Sequence, residues 1–169
     1  MQGIGLVVRG MGMRVETVDV SDAVIYQRYS DELTRFASAV VGRDEAGDVV
    51  SDVVVRVLSN GGLHRLRDPK PYLYKAVLNE ARSHLRRRSV AASVDGSRLL
   101  TLSPDSADSQ EVLGAVLGLP PQQRAAAFLV YWAGYSTAEA AELIGVRPGT
   151  LGRYLHLARR RLKEALDGT

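Results

Sequence analysis

The sequence contains no cysteine, few histidines and no long hydrophobic run, and each absence removes a class of function. Without cysteine among its 169 residues, the chain forms no disulfide bonds and no thiolate metal sites. Its three histidines, His64, His84 and His156, lie far apart in the sequence, so we expect neither a zinc site nor a cofactor. The longest apolar run near the amino terminus, residues 4–8, is too short for a membrane helix and follows no basic segment. These features predict a cytoplasmic protein that does not contact a membrane.

The motifs of common enzyme classes are missing as well. The sequence has no glycine-rich phosphate loop, no paired-histidine motif and no nucleophile elbow. A nuclease or phosphotransfer enzyme would have to use dispersed acids together with His64 or His84, and such dispersed residues usually lie on the surface. We therefore expect no catalytic residues.

Charged residues are unevenly distributed, although the formal net charge is only +3. Basic residues cluster at 82–88 and 153–163, whereas acidic residues concentrate at 44–52. Clustered cations attract polyanions more strongly than the net charge suggests. The basic segments therefore indicate a phosphate-bearing partner.

Apolar residues recur at helical spacing through most of the chain, and neither a strand-and-turn rhythm nor an internal repeat is visible. We predict a first helix from Ser21, a favourable N-cap residue, to Gly42. The valine-rich segment 47–58 is predicted as a second helix, because its valines fall at steps of one, three and four rather than alternating. Asp68-Pro69 then starts a third helix.

The composition changes after the third helix. Residues 89–109 are rich in serine and small side chains and show no sustained periodicity, which is typical of a flexible linker. We therefore predict an all-α protein with two small helical domains. The expected boundaries are an amino-terminal tail at 1–20, a first domain at 21–88, the linker at 89–109 and a second domain at 110–167.

The segment 136–162 has the pattern of a helix-turn-helix, and a helix predicted at 124–132 precedes it. Ser136 and Glu139 form a capping box that starts the first of its helices. Gly145 permits the turn that ends this helix. The capping box and the turn glycine therefore lie at the spacing that a tight helix pair requires.

The second helix of this pair is expected to begin at Pro148, since proline suits a first helical position. Its apolar stripe comprises Leu151, Leu155, Ala158 and Leu162. Its outward positions are Thr150, Gly152, Arg153, His156, Leu157 and Arg160. The basic outer face favours duplex DNA as the partner. The alternative is an ordinary amphipathic helix pair whose cations favour the carboxyl end of the helix dipole.

Three stretches, taken in order, carry a family resemblance. They are residues 44–58 (DEAGDVVSDVVVRVL), 68–88 (DPKPYLYKAVLNEARSHLRRR) and 119–162 (LPPQQRAAAFLVYWAGYSTAEAAELIGVRPGTLGRYLHLARRRL). Together they resemble the small, two-domain extracytoplasmic-function (ECF) sigma factors of bacterial RNA polymerase, within the sigma-70 family. The last stretch alone also resembles the DNA-binding unit of many response regulators.

This resemblance implies core RNA polymerase and promoter DNA as partners, with an anti-sigma factor as a further one. It implies that the first domain binds the polymerase and reads and opens the minus-10 element, while the second reads the minus-35 element. The alternative is an autonomous helix-turn-helix regulator that binds duplex DNA without polymerase. Such a regulator would need neither the acidic helix nor the basic third helix.

The acidic residues of the second helix share one face. Asp44, Asp48 and Asp52 lie four residues apart, and Asp52 is spaced to pair with Arg56. The face could be solvated, bind a metal or dock on the polymerase, but the spacing strings the acids along a helix rather than around an ion. The resemblance implies docking, so the expected polymerase-binding residues are Asp48, Asp52 and Arg56.

The third helix interleaves aromatic and basic residues. Aromatic rings stack on unpaired bases while cations hold the backbone, so this surface suits melted DNA. The alternative for Tyr72 and Tyr74 is packing within the domain. Similar sigma factors carry tryptophan at position 72 and aspartate where this chain has Ser83, and their preceding loop, here roughly 60–70, forms the pocket for a flipped base. The residues expected at the minus-10 element are Tyr72, Tyr74, Lys75, Asn79, Arg82, Arg86 and Arg87.

In the helix-turn-helix, Arg147 and Arg153 are the long donors nearest the helix end that enters the groove. Arginine can grip a guanine through two hydrogen bonds. Arg153 is the stronger candidate because it lies outside the apolar stripe. Arg160 lies too far along the helix to reach the same base edges, so we expect it to contact the DNA backbone or the polymerase flap. The residues expected at the minus-35 element are Arg147, Thr150, Arg153, Tyr154, Leu157 and Arg160.

Overall fold

The structure, a computed structural model, describes residues 20–95 and 115–167. We call these ranges the first unit and the second unit. The first unit consists of α1 (Val20–Val41), α2 (Arg43–Ser59), a 3-10 turn (Leu63–Arg65) and α3 (Pro69–Asp95). The second consists of α4 (Pro121–Ala127), a π-helical turn (Phe128–Trp132), α5 (Thr137–Ile144) and α6 (Pro148–Asp167). No strand occurs in either range, which confirms the all-α prediction.

A single glycine separates the first two helices. Gly42 has a φ of 102°, a conformation that favours glycine, and it turns the chain between α1 and α2. The valine-rich segment is helical as predicted, with Val49, Val53 and Val57 buried along one face. This helix begins at Arg43 rather than near residue 47, because Asp44 and Glu45 favour a helix amino terminus.

The third helix is longer than predicted. It begins at Pro69 as expected but continues beyond Arg88 to Asp95. The serines, valines and alanines at 89–94 do not stop a helix, and the first glycine after α3 begins is Gly96. The helix end expected near Arg88 is therefore wrong, and residues 96–109 of the expected linker lie outside the described ranges. Residues 1–19 of the expected tail also lie outside them.

The helix predicted at 124–132 is divided in two. The α-helix begins at Pro121 and gives way to the π-helical turn at Phe128. In this turn the Ala133 amide donates to the Phe128 carbonyl at 2.9 Å, five residues back, which defines the wider winding. Gly134, with a φ of 75°, then redirects the chain towards α5.

The helix-turn-helix has the predicted geometry. The Ser136 side chain accepts a hydrogen bond from the Glu139 amide at 3.2 Å, and the Glu139 carboxylate accepts one from the Ser136 amide at 2.8 Å. Gly145 adopts a φ of 79° in the turn, and α6 begins at Pro148. The predicted stripe faces inward, since Leu151, Leu155 and Ala158 are buried and Leu162 is half-buried.

The two units pack against each other through aromatic side chains. The ring centroids of Phe36 in α1 and Phe128 lie 5.2 Å apart. Those of Tyr74 in α3 and Tyr135 lie 5.6 Å apart, in an edge-on arrangement. Buried residues of both units consequently form one continuous hydrophobic core. Within the described ranges, no helix has the length and apolar character needed to span a membrane.

Candidate nucleic-acid and polymerase interfaces

The reading face of α6 is open to solvent. Arg147, Thr150, Arg153 and Arg160 are exposed, and Leu157 is half-buried. Arg160 approaches Glu164 one turn further along, with nitrogen and oxygen 3.4 Å apart, a surface pair that contributes little to stability. The long donors of this face are therefore free to meet a groove or a phosphate.

Tyr154 and Gly152, two other positions of α6, have different surroundings from these exposed donors. The Tyr154 hydroxyl, predicted to contact DNA, donates to the Gln122 Oε1 of α4 at 2.6 Å, so this half-buried side chain braces α6 within the second unit. At Gly152 an added Cβ would meet no atom within 4 Å. No packing among the residues that the structure describes therefore requires glycine there.

Part of the predicted minus-10 face on α3 is also exposed. Tyr72 retains 45% of its surface, and Lys75, Asn79 and Arg86 are exposed as well. An aromatic plane among cations is the arrangement that single-stranded nucleic acids bind. These side chains form a surface that is accessible while the two units are packed together, an arrangement that we call closed.

Tyr74, by contrast, is buried where the units meet. Only 1% of its surface is exposed, and its hydroxyl donates to the Glu32 Oε1 of α1 at 2.7 Å. Its ring packs against Phe36 and Tyr135. Burial and the hydrogen bond to Glu32 raise the pKa of this hydroxyl above its usual range. The packing alternative for this residue is the one that the structure displays, and its contact with DNA stays a prediction.

Arg82 links the two units instead of lying free. Its guanidinium donates to the carbonyl oxygen of Ile144 at 3.1 Å. Ile144 ends α5, where carbonyl groups lack partners within the helix, so Arg82 satisfies one of them at the turn of the helix-turn-helix. Burial lowers the pKa of Arg82. A residue predicted to bind the minus-10 strand thus contacts the unit predicted to read the minus-35 element.

Sequence reasoning missed Glu80, which binds two of the predicted site residues. Its carboxylate, 5% exposed, accepts from Arg56 of α2 at 2.5 Å and from Arg87 at 3.0 Å. The hydrogen bond from Arg56 is the main reason why the pKa of Glu80 is lowered. Arg56 therefore pairs with Glu80 and not, as its spacing indicated, with Asp52. Glu80 and Arg87 lie two helical turns apart, which was the only signal in the sequence.

The acidic face of α2 remains free. Asp48 and Asp52 are exposed, on the side of α2 opposite its buried valines. Glu45, one turn before Asp48, lies near His84 of α3, with 3.1 Å between its Oε2 and the His84 Nε2, and it also contacts Arg88. Of the acids at 44–52, Glu45 is thus engaged within the unit, while Asp44, Asp48 and Asp52 are exposed and available to a partner on this face. No group of acids and histidines within the described ranges is arranged to hold a metal ion.

Two family models match the two units of the chain separately. The family model Sigma-70 region 2 matches residues 25–90, and the family model Sigma-70, region 4 matches residues 109–162. The chain is 31% identical over 142 residues to the ECF RNA polymerase sigma factor EcfG of Rhodopseudomonas palustris (strain TIE-1), covering 79% of this chain and 78% of that protein. It is 30% identical over 144 residues to the RNA polymerase sigma-E factor of Streptomyces avermitilis, covering 81% and 80%.

A solved structure shares the fold of both units. The sigma factor RpoE of Bartonella quintana, determined in complex with the anti-sigma factor NepR, matches with a TM-score of 0.75 at 25% identity, covering 86% of this chain and 96% of RpoE. The resemblance found in the sequence is therefore confirmed along most of the chain. Three findings agree with that resemblance. The chain has two helical units in the expected order, the second contains a helix-turn-helix, and the relatives match over most of their length. The chain belongs to the extracytoplasmic-function sigma factors, a group within the sigma-70 family of RNA polymerase sigma factors.

Proposed function

We propose that this chain binds core RNA polymerase, recognises the minus-10 and minus-35 promoter elements and supports promoter opening. The observation that carries the proposal is the exposed basic face of α6, placed after the turn at Gly145 as in proteins that insert such a helix into the major groove. An autonomous regulator would share that face. The exposed acids of α2 and the exposed aromatic and basic face of α3 favour a polymerase subunit over such a regulator.

Docking on the polymerase is assigned to α2. Asp48 and Asp52 lie one turn apart and are exposed, so both carboxylates can meet one basic surface. Arg56 lies at the edge of this face and is already held by Glu80. Its contribution is accordingly to fix the border between α2 and α3, with Asp48 and Asp52 supplying the charge that attracts the partner.

Promoter opening is assigned to α3. Tyr72, Lys75 and Asn79 are exposed along the first half of the helix, where a strand drawn from the duplex could stack and be held. Tyr74 and Arg82 could join them only if the two units separated, because both now serve the contact between units. Asn79→Ala should therefore weaken the permanganate reactivity of minus-10 thymines more than it weakens initial promoter binding.

An anti-sigma factor is proposed as a further partner. The related RpoE was determined in complex with such a protein, NepR. In the present chain the two units pack together through aromatic contacts of α1 and α3 with the second unit. A partner that binds across both units would stabilise this closed arrangement by mass action.

Run-off transcription with core polymerase and a promoter library tests the function as a whole. We expect transcripts that depend on both the chain and the polymerase, from templates that share two sequence elements. Specific duplex binding without polymerase, combined with no transcript in its presence, would instead establish the autonomous regulator.

The docking assignment is tested by charge reversal on α2. Asp48→Lys and Asp52→Lys, singly and together, should weaken competition for core polymerase without changing the unfolding transition. Asp31→Lys makes the same charge change on an exposed position of α1 and is the matched control. If the double variant competes as well as the control, docking does not occur on this face.

A further inference from the structure

Glu80 holds two arginines that come from different helices. Its Oε2 atom accepts a hydrogen bond from the Nη2 of Arg56 in α2 at 2.5 Å, and its Oε1 atom accepts one from the Nη2 of Arg87 in α3 at 3.0 Å. The carboxylate is 5% exposed, whereas the side chains of Arg56 and Arg87 are 57% and 62% exposed. The anchor is therefore buried while both guanidiniums lie at the surface.

The shared carboxylate keeps the two guanidiniums side by side. Each binds a different oxygen of the same group, so neither can swing away without losing a charge-assisted hydrogen bond. A long side chain that binds a ligand from a mobile state loses rotamer freedom, which weakens binding. Here Glu80 removes much of that freedom before any ligand arrives.

Both guanidiniums keep donors for a further partner. Arginine carries five N–H groups in a planar fork, and Glu80 takes one from each side chain. Among the described residues, neither Arg56 nor Arg87 has a second ion-pair partner. Two cations around one carboxylate leave a net positive charge, which suits a single anionic group.

Asp52 makes this site depend on the polymerase. The hydrogen bond to Glu80 is the main reason why the pKa of Arg56 is raised, and the nearby Asp52 raises it further. Asp52 is exposed and is assigned to docking in the proposed function. A basic polymerase surface that pairs with Asp52 would offset its negative charge beside Arg56. The site should therefore attract an anion most strongly in the assembled holoenzyme.

Tyr72 favours a phosphate as that anion. It lies near enough to Arg56 to contribute to the raised pKa, and 45% of its surface is exposed. An unstacked base that packs on an exposed aromatic ring carries its backbone phosphate close by. Arginine forks also match the several acceptor oxygens of a phosphate. A carboxylate of the polymerase is the competing anion.

We propose that Arg56 and Arg87, held in place by Glu80, form a binding site for one phosphate group at the border between α2 and α3. The phosphate belongs to the backbone of the promoter strand or to a free phosphate-bearing solute, since both present the same oxygens. This inference rests on the proposed function and adds to it a site that neither helix forms alone. Glu80 is a positioning residue, because it contacts the two arginines and not the phosphate.

Neutral linkages in the DNA test the backbone source. A promoter selected with wild-type holoenzyme is prepared with one methylphosphonate at a time across its minus-10 element, so that each template lacks the charge of one phosphate. At the position bound by this site, wild-type holoenzyme should lose about tenfold in affinity, as expected for charge-assisted hydrogen bonds. Arg56→Ala and Arg87→Ala should each abolish that loss. Arg43→Ala, the same change at an exposed position at the start of α2, is the matched control and should retain it.

The positioning role is tested with Glu80→Gln. Removing a negative charge by itself strengthens binding to any DNA, whereas losing the anchor should shrink the methylphosphonate penalty at that one position. A smaller penalty there, with unchanged penalties elsewhere, supports positioning by Glu80. Equal penalties in the variant and the wild type would overturn it.

A titration with inorganic phosphate tests the free source. It is added to the full chain while the side-chain Nε–H NMR signals of Arg56 and Arg87 are followed, with Arg43 as the control. Signals of Arg56 and Arg87 that shift together, without a position-specific loss on DNA, would identify a free phosphate-bearing solute as the ligand.

The proposal is overturned if neither arginine variant abolishes a methylphosphonate penalty and inorganic phosphate leaves both signals unchanged. In that case, weaker competition of Arg56→Ala for core polymerase would assign the site to a polymerase carboxylate. A wild-type holoenzyme that binds no promoter would contradict the proposed function itself.

Discussion

The two units differ in whether their predicted DNA-binding residues are accessible. In the second unit Arg147, just before α6, and Arg153, on the outer face of α6, are both exposed. In the first unit Tyr74 is buried, Arg82 is bound to the Ile144 carbonyl, and Arg87 is bound to Glu80. The helix-turn-helix can thus meet DNA as it stands, whereas α3 must give up internal contacts before all of its predicted residues can.

The difference follows from where the partners lie in the sequence. The capping box and turn of the helix-turn-helix join residues within one short segment. The partners of Tyr74 and Arg82 lie 42 and 62 residues away. A surface whose geometry is local can be anticipated from spacing, while availability that depends on distant packing cannot.

The sharpest way to test the contrast compares the two tyrosines of α3. Tyr74→Ala should lower the free energy of unfolding by about 3 kcal/mol or more, because it leaves a cavity and removes the donor to Glu32. Tyr72→Ala, at a 45% exposed position, should change it by about 0.5 kcal/mol or less. Chemical denaturation measures both. Similar small losses for the two variants would show that Tyr74 is not buried between the units.

Within the second unit, Arg153→Ala and Arg160→Ala should fail differently. Loss of Arg153 should relax base preference at one or two minus-35 positions, because a bidentate contact to guanine contributes about 1 to 3 kcal/mol of discrimination. Loss of Arg160 should weaken binding to all sequences and reduce the salt slope by about 1. A minus-35 library scored with each holoenzyme decides this. Uniform weakening with Arg153→Ala would make Arg153 a phosphate contact.

Acid should act on the first unit through Glu80. Because the pKa of Glu80 is lowered from 4.5 in the folded chain, its stabilisation is complete above that value and is lost as pH falls through the folded pKa. Glu80→Gln should lower stability near neutral pH by about 1 kcal/mol and flatten the decline in acid. Unfolding curves from about pH 7 to pH 3 measure both effects. An unchanged acid profile in the variant would mean that other carboxylates cause the decline.

The smallest expected effect is that of Gly152→Ala, which tests whether this glycine serves folding or DNA recognition. Its Cβ position is open, so Gly152→Ala should stabilise α6 by about 0.5 to 1 kcal/mol. If the backbone at this position approaches DNA closely, affinity for the minus-35 element should fall although stability rises. Thermal unfolding and promoter binding on the same sample measure the two quantities. A gain in both would mean that the glycine serves neither folding nor recognition.

Much of the fold could be predicted from the sequence because its signals are local. The steps between valines indicated that α2 is a helix, and Ser136, Gly145 and Pro148 marked the helix-turn-helix. The end of α3 was misplaced because serine and alanine do not themselves stop a helix, so composition suggested a linker too early. The role of Glu80 was missed because one of its partners, Arg56, lies on another helix.

The packing of Tyr135 against Tyr74 has a consequence for how promoter use can evolve. Apparent affinity is the intrinsic affinity multiplied by the fraction of molecules whose binding faces are free. A substitution at Tyr135 that loosens this packing would raise that fraction, and so strengthen every promoter that depends on the minus-10 face by the same factor. If Arg153 reads bases as predicted, a substitution there would instead reorder promoters relative to one another. Overall output and promoter choice would then depend on different residues, and each could change without the other.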